Sequence, residues 1–190
     1  MIRARPAVVD DADALAAAHI EGWRVGYRDL LPDEFLDAPE FAAERLDRWR
    51  RWVWREWSPQ SQMFAVEVDG RVVGMGHAGP ARTDAECDQS HPNGTSFSST
   101  TGEVYGFYVH PDAWGSGAAT ELMRTCEAFL RAAGFADAVL WVLRDNPRAR
   151  AFYEKAGWRP SGRDALWEGP STGSRIPSPL VEVEYRTRLR

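Results

Sequence analysis

Hydrophobic and polar positions change period along this chain, and each change marks the edge of an element. Ile2 to Arg5 reads as a short strand, stopped at Pro6. Leu15, Ala18, His19 and Gly22 then recur at helical spacing, which predicts a helix capped by Asp10 and fading near Tyr27. The turn Leu31-Pro32-Asp33 introduces a second helix, whose body is the run Ala42 to Trp57, closed by Pro59. Met63 to Val68 and Val72 to Ala78 read as strands joined at Asp69-Gly70, a strong hairpin signal. Residues 80–102 are dominated by Gly, Pro, Ser and Thr and read as a polar loop insertion. A strand from Glu103 to Val109, a helix over 116–133, a strand Ala138 to Leu143 and a helix Pro147 to Ala156 follow. Two final strands, the last Val181 to Leu189, complete the order β-α-α-β-β-β-α-β-α-β-β, with no internal repeat. The strands on either side of the 116–133 helix must run parallel, because a helical crossover joins them.

Length and charge narrow the field. At 190 residues the chain is expected to form one domain, 1–190, with a substantial core. Lys and Arg total 23 against 28 Asp and Glu, a net charge of −5, which disfavours nonspecific nucleic-acid binding and mildly favours cationic substrates. Cys87 and Cys126 read as reduced thiols, and the N-terminal residues lack a signal peptide's apolar core, so a cytoplasmic location is expected. No apolar run approaches the ~18 residues of a membrane span. His19, His77, His91 and His110 show no metal-ligand spacing, so no metal is expected.

The richest chemistry lies where the strand ending at Val109 meets Pro111, a short loop with Gly115 and Gly117, and a helix start. The first turn of a helix carries N–H groups without helical partners and a dipole that favours anions; glycines let that backbone approach a phosphate. A P-loop would need Gly-Lys-Ser/Thr after the glycines, and residues 117–119 are Gly-Ala-Ala. A dinucleotide fingerprint would need a third glycine where Thr120 stands and a turn directly after the strand, yet His110 to Trp114 intervene. Asp137 lies at the spacing of a ribose-binding acid, but its surroundings read as a turn into the next strand.

The remaining pattern resembles the GNAT acetyltransferase superfamily. Val109-His110-Pro111 followed by Trp114-Gly115-Ser116-Gly117-Ala118-Ala119 is similar to its acetyl-CoA motif, with Trp114 in place of the usual Arg or Gln. Asn146-Pro147-Arg148-Ala149-Arg150-Ala151-Phe152-Tyr153-Glu154-Lys155-Ala156-Gly157-Trp158 matches the family's second block, in the expected order. The resemblance implies an α/β (α+β) fold: a central mixed, twisted seven-stranded sheet, about four flanking helices, and two strands that splay apart at the acetyl-CoA site. It also implies an acetyl-CoA-dependent N-acetyltransferase acting by direct attack of a primary amine of a small molecule or peptide.

Acetyl-CoA contacts are implied for Phe107, Tyr108 and Val109 on the strand edge, for Trp114, Gly115, Ser116, Gly117, Ala118, Ala119 and Thr120 at the turn, and for Asn146 and Tyr153. Asn146 before Pro147 also reads simply as a helix cap. Deprotonating an amine of pKa ~10.4 near pH 7.4 costs about 4 kcal/mol, so a base is useful. Glu103 stands where several members carry one, and strand alternation puts Glu103, Tyr105, Phe107 and Val109 on one face. Tyr153 matches the family's general acid beside the CoA sulfur. Trp23 and Tyr27 are candidates for the acceptor side, with core packing as an equal reading, and the 80–102 loop is a candidate cover for that side. The Arg/Trp-rich helix with Trp49, Trp52, Val53 and Trp57 on one side reads as amphipathic with solvated arginines; Trp54 is a candidate for the acceptor groove or a homodimer contact. A non-catalytic acyl-CoA sensor on the same fold is the alternative.

Overall fold

The computed structural model describes residues 1–52, 60–82, 97–167 and 179–189. Its strands are β1 (Ile2–Pro6), β2 (Gln62–Val68), β3 (Arg71–Arg82), β4 (Phe97–Val109), β5 (Asp137–Leu143), β6 (Arg159–Trp167) and β7 (Leu180–Arg188). Its α-helices are α1 (Ala12–Gly26), α2 (Asp33–Leu36), α3 (Pro39–Trp52), α4 (Ala118–Ala132) and α5 (Pro147–Lys155). The strands form one mixed sheet in the order β1-β2-β3-β4-β5-β7-β6. Among the described strands only β4 and β5 pair in parallel, and α4 is the crossover that joins them.

Each face of the sheet carries its own apolar cluster. On one face, α4 buries Ala118, Leu122, Met123, Cys126 and Leu130, the inward stripe of its helical period, and α5 adds Tyr153. The other face packs Leu15, Ala16 and Trp23 of α1 and Phe41 and Trp49 of α3 against Ala65 and Met75. Helix α4 sits on bare backbone: a Cβ at Gly76 would lie 2.6 Å from the Cys126 sulfur, and one at Gly102 would lie 2.8 Å from Leu130. Any larger residue at either place would push α4 off the sheet.

Several boundaries differ from the sequence expectation, each for a local reason. Residues 80–82 and 97–102 are strand, not loop, and residues 83–96 lie outside the described residues. Pro80 is opposite Gly102 in the ladder and its carbonyl accepts the Tyr105 hydroxyl, so the arm extends despite its loop-like composition. A short turn, Val9–Asp11, precedes α1, and Asp11 rather than Asp10 takes the N-cap place. The Asp11 carboxylate does not cap; it receives two bonds from Arg5 (2.7 and 2.8 Å) and one from the Val8 N–H, and the Arg5 bond holds its pKa low.

The second helix starts at Pro39, ahead of the expected Ala42; Val53, Trp54 and Trp57 lie outside the described residues. Arg45 is not solvated. It is 3% exposed and lies over the rings of Trp23 and Phe41, where burial depresses its pKa to about 9.

The largest correction concerns β4. His77 pairs with Gly106 and Ala78 with Val104, so Tyr105 is the extra residue of a bulge. Val104, Phe107 and Val109 pack on the α4 face, while Tyr108 packs on the α1 face. Alternation therefore breaks at the bulge, and Glu103 does not share a face with Phe107 and Val109.

Candidate functional site

The β4–β5 ladder runs from Thr101↔Asp137 to Val104↔Leu140 and stops there. Both strands continue, β4 to Val109 and β5 to Leu143. The two ends therefore diverge, and a cleft opens between Tyr105–Val109 on one side and Trp141–Leu143 on the other. Its volume is about 200 Å³. That is below the roughly 300–1,000 Å³ of pockets for drug-sized ligands, so the cleft suits a slender arm. Main-chain groups along such an unpaired edge need partners, which an amide-bearing chain supplies.

At the α4 end, Gly115 (φ 79°) and Gly117 (φ 99°) both take left-handed backbone, a conformation costly for any residue with a Cβ. Ser116 donates to the Ala113 carbonyl at 2.7 Å and accepts from the Ala118 N–H at 3.2 Å, which fixes the turn. The N-terminus of α4 consequently opens beside the cleft mouth. Ala119 and Trp114 line the cleft itself, whereas Gly115, Ser116, Gly117, Ala118 and Thr120 build the turn behind them.

Trp114 does work that an Arg or Gln would do differently. Its indole N–H donates to the Val109 carbonyl at 2.8 Å, and the Arg148 guanidinium of α5 lies over its ring. A cation thus reaches the cleft mouth from α5 instead of from the turn. Nothing in the sequence singled out Arg148, because its partner lies 34 positions earlier in the chain. Across the cleft, Asn146 accepts the Ala149 N–H at 3.0 Å, so capping of α5 is realised, and its side chain also lines the cleft.

Tyr153 projects from α5 into the middle of this cleft, between Phe107, Phe152 and Tyr185. Burial raises its pKa above that of a free phenol, so the hydroxyl stays protonated, as a hydrogen-bond donor must. Tyr27 and Tyr108 reach the cleft from the α1 face, and burial raises their pKa values too. Trp23, by contrast, is 3% exposed and packs against Tyr27, Phe41 and Trp167; it is a core residue that does not line the cleft.

Glu103 is 1% exposed and also absent from the cleft lining. Its carboxylate is bound by the Arg82 guanidinium and by the Arg82 N–H at 2.9 Å. The carboxylate that does line the cleft is Glu182 of β7, which sequence reasoning missed. Desolvation drives its pKa up to about 7, against the lowering pull of Arg82 and with a smaller push from Glu103. The available signal was the alternation Val181-Glu182-Val183-Glu184-Tyr185, which puts both acids on the face away from Tyr185. Alternation alone does not say which acid meets a cleft.

Cys126 is buried under α4 and its thiol pKa is raised by desolvation, which removes it as a nucleophile. Among the described residues no cluster of His, Cys, Asp and Glu forms a metal site, and no helix is long and apolar enough to cross a membrane.

Comparison with known proteins gives a consistent answer. The family model described as Acetyltransferase (GNAT) family matches residues 24–158. An uncharacterized N-acetyltransferase of Bacillus subtilis is 26% identical over 147 residues, covering 77% of this chain and 75% of the relative. A probable N-acetyltransferase of Mycobacterium tuberculosis is 29% identical over 191 residues, covering 97% and 92%. Among solved structures, the PaiA N-acetyltransferase of Thermoplasma acidophilum in complex with coenzyme A superposes with a TM-score of 0.69 at 14% identity, over 99% of both chains. At that identity the likeness speaks for the fold.

Proposed function

The chain belongs to the acetyltransferase (GNAT) family, and from that premise we propose that it moves the acetyl group of acetyl-CoA to a primary amine of a small molecule or peptide by direct attack. The observation that carries this reading is the early end of the β4–β5 ladder, with Tyr153 set into the resulting gap. The edge Phe107–Val109 would hold the amide-rich arm through main-chain groups other than the Val109 carbonyl, which accepts from Trp114. The turn Gly115–Thr120 and the first amides of α4 would hold the diphosphate, with Arg148 of α5 contributing positive charge beside Trp114.

Transfer then needs alignment of the two reactants more than reactive side chains. Tyr153 donates a hydrogen bond to the departing sulfur. A thiol of pKa ~8.5 leaves readily as thiolate, so stabilisation by a held hydroxyl is sufficient. Tyr27 faces the acceptor side of the gap. Glu103, expected as a base, is assigned here to holding Arg82, since its carboxylate is already bonded there. Acetyl transfer needs no covalent enzyme intermediate, in keeping with the inert Cys126.

The decisive experiment is calorimetry with CoA followed by thiol release from acetyl-CoA in the presence of a primary-amine panel. Binding plus amine-dependent release supports the reading. Tight binding with no release for any amine favours the acyl-CoA sensor instead, and absence of binding removes both.

A further inference from the structure

Glu182 is the only carboxylate among the described residues that line the cleft. It enters from the side of the sheet opposite Tyr153. In β7, Val183 and Tyr185 pack with the α4–α5 cluster, so Glu182, between Val181 and Val183, points toward α1. Tyr27 at the C-cap of α1 and Tyr108 of β4 are close enough for their ionisation to feel its charge. Of the neighbouring acids, Glu103 is tied to Arg82 and Glu184 to Arg163, while Glu182 has no ion-pair partner among the described residues. A carboxylate with spare acceptor capacity, opposite a tyrosine that donates, is the arrangement a base and an acid need on the two sides of one carbonyl carbon.

We infer that Glu182 is the general base of the transfer and the group that selects a cationic amine. The inference rests on the acetyltransferase reading above. An arriving ammonium gives one proton to the Glu182 carboxylate. The freed lone pair forms the C–N bond at the thioester carbon, and the C–S bond breaks. The nitrogen sheds its second proton, which the departing thiolate takes up by way of the Tyr153 hydroxyl. Glu182 then returns its proton to water. Products are the amide, CoA thiol and one released proton, so charge and atoms balance.

The tyrosines of the cleft do not serve as the base. Tyr27, Tyr108 and Tyr153 all hold their protons more tightly than a free phenol. The groups facing Glu182 are Arg82 of β3, Glu103 and Tyr108 of β4, Tyr27 at the C-cap of α1 and, across the gap, Tyr153 of α5. Its ladder partners Leu143 and Ala165 bring no charge. A value near 7 suits proton exchange at neutral pH.

The test has two readouts. In free protein labelled with carbon-13 at glutamate carboxyls, one resonance should titrate near pH 7 and vanish in Glu182→Gln. Acetyl-CoA thiol release with spermidine, tyramine and glucosamine should fall by about 10²–10³-fold in kcat/KM in that variant, with the acidic limb of the profile removed and CoA affinity by calorimetry unchanged. Glu182→Asp, which keeps the charge, should retain part of the rate and guards against a folding artefact. A Glu182→Gln enzyme within threefold of wild type, or one that keeps the acidic limb, overturns the assignment while leaving the transferase reading intact. Wild-type protein that binds no CoA overturns that reading and this inference with it.

Discussion

The two walls of the cleft are made in opposite ways. The α4–α5 wall is local and largely main-chain: a glycine turn, a helix start and a capped helix, each within a few residues of the next. The α1 wall is assembled from the end of α1, from β4 and from Glu182 of β7, residues up to about 155 positions apart in the chain, with Arg82 of β3 acting on Glu182 from behind. A backbone site tolerates changes of side chain and suits a ligand whose chemistry never varies. A side-chain site depends on one or two charges, and it is where acceptor choice can change without disturbing the fold.

Breaking that contrast starts with Tyr153. Tyr153→Phe should lower kcat by about 10²–10³-fold while CoA affinity, measured by calorimetry, stays within threefold; an unchanged rate would strip the α5 wall of any part in chemistry. Glu103→Gln tests the α1 wall. It removes the carboxylate charge from the buried Arg82–Glu103 pair, and thermal unfolding should show a loss of about 3–5 kcal/mol. Folded Glu103→Gln protein should also titrate Glu182 at lower pH, since a raising charge is gone.

A third measurement follows the sign of the Glu182 shift. Its folded-state pKa lies above the ordinary carboxylate value, so the fold favours the protonated form, and stability falls as pH climbs from about 4.5 through 7. The Gln variant lacks that dependence. Its melting temperature should overtake that of wild type between pH 5 and 8, by the equivalent of about 1–3 kcal/mol after allowing for solvent. Smallest is Asn146→Ala, which removes the α5 cap bond and should cost about 1 kcal/mol in a denaturant titration. A rate defect beyond that loss would show Asn146 touching ligand as well.

This asymmetry also explains what could be read from the sequence. The strand–turn–helix around Gly115 and the block from Asn146 to Trp158 were legible because their function is local spacing. The parallel β4–β5 pair followed from its crossover. Tyr105 as a bulge was not legible, since the extra residue is defined by the register of β3, and with it went the side on which Glu103 falls. Trp23 and Tyr27 share one helical turn, and only the packing of Phe41 and Trp167 against Trp23 decides which of them meets the cleft. Glu182 needed the whole sheet in place.

Strand β7 lies between β5 and β6, so β6 has no ladder partner until β7 arrives. The same strand bonds to α5, where the Tyr185 hydroxyl accepts from Arg150 and donates to Glu154. Both sides of the cleft therefore borrow from one strand: Tyr185 backs Tyr153 on one face of β7 while Glu182 lines the gap from the other, so a distortion of β7 would be felt by acid and base together.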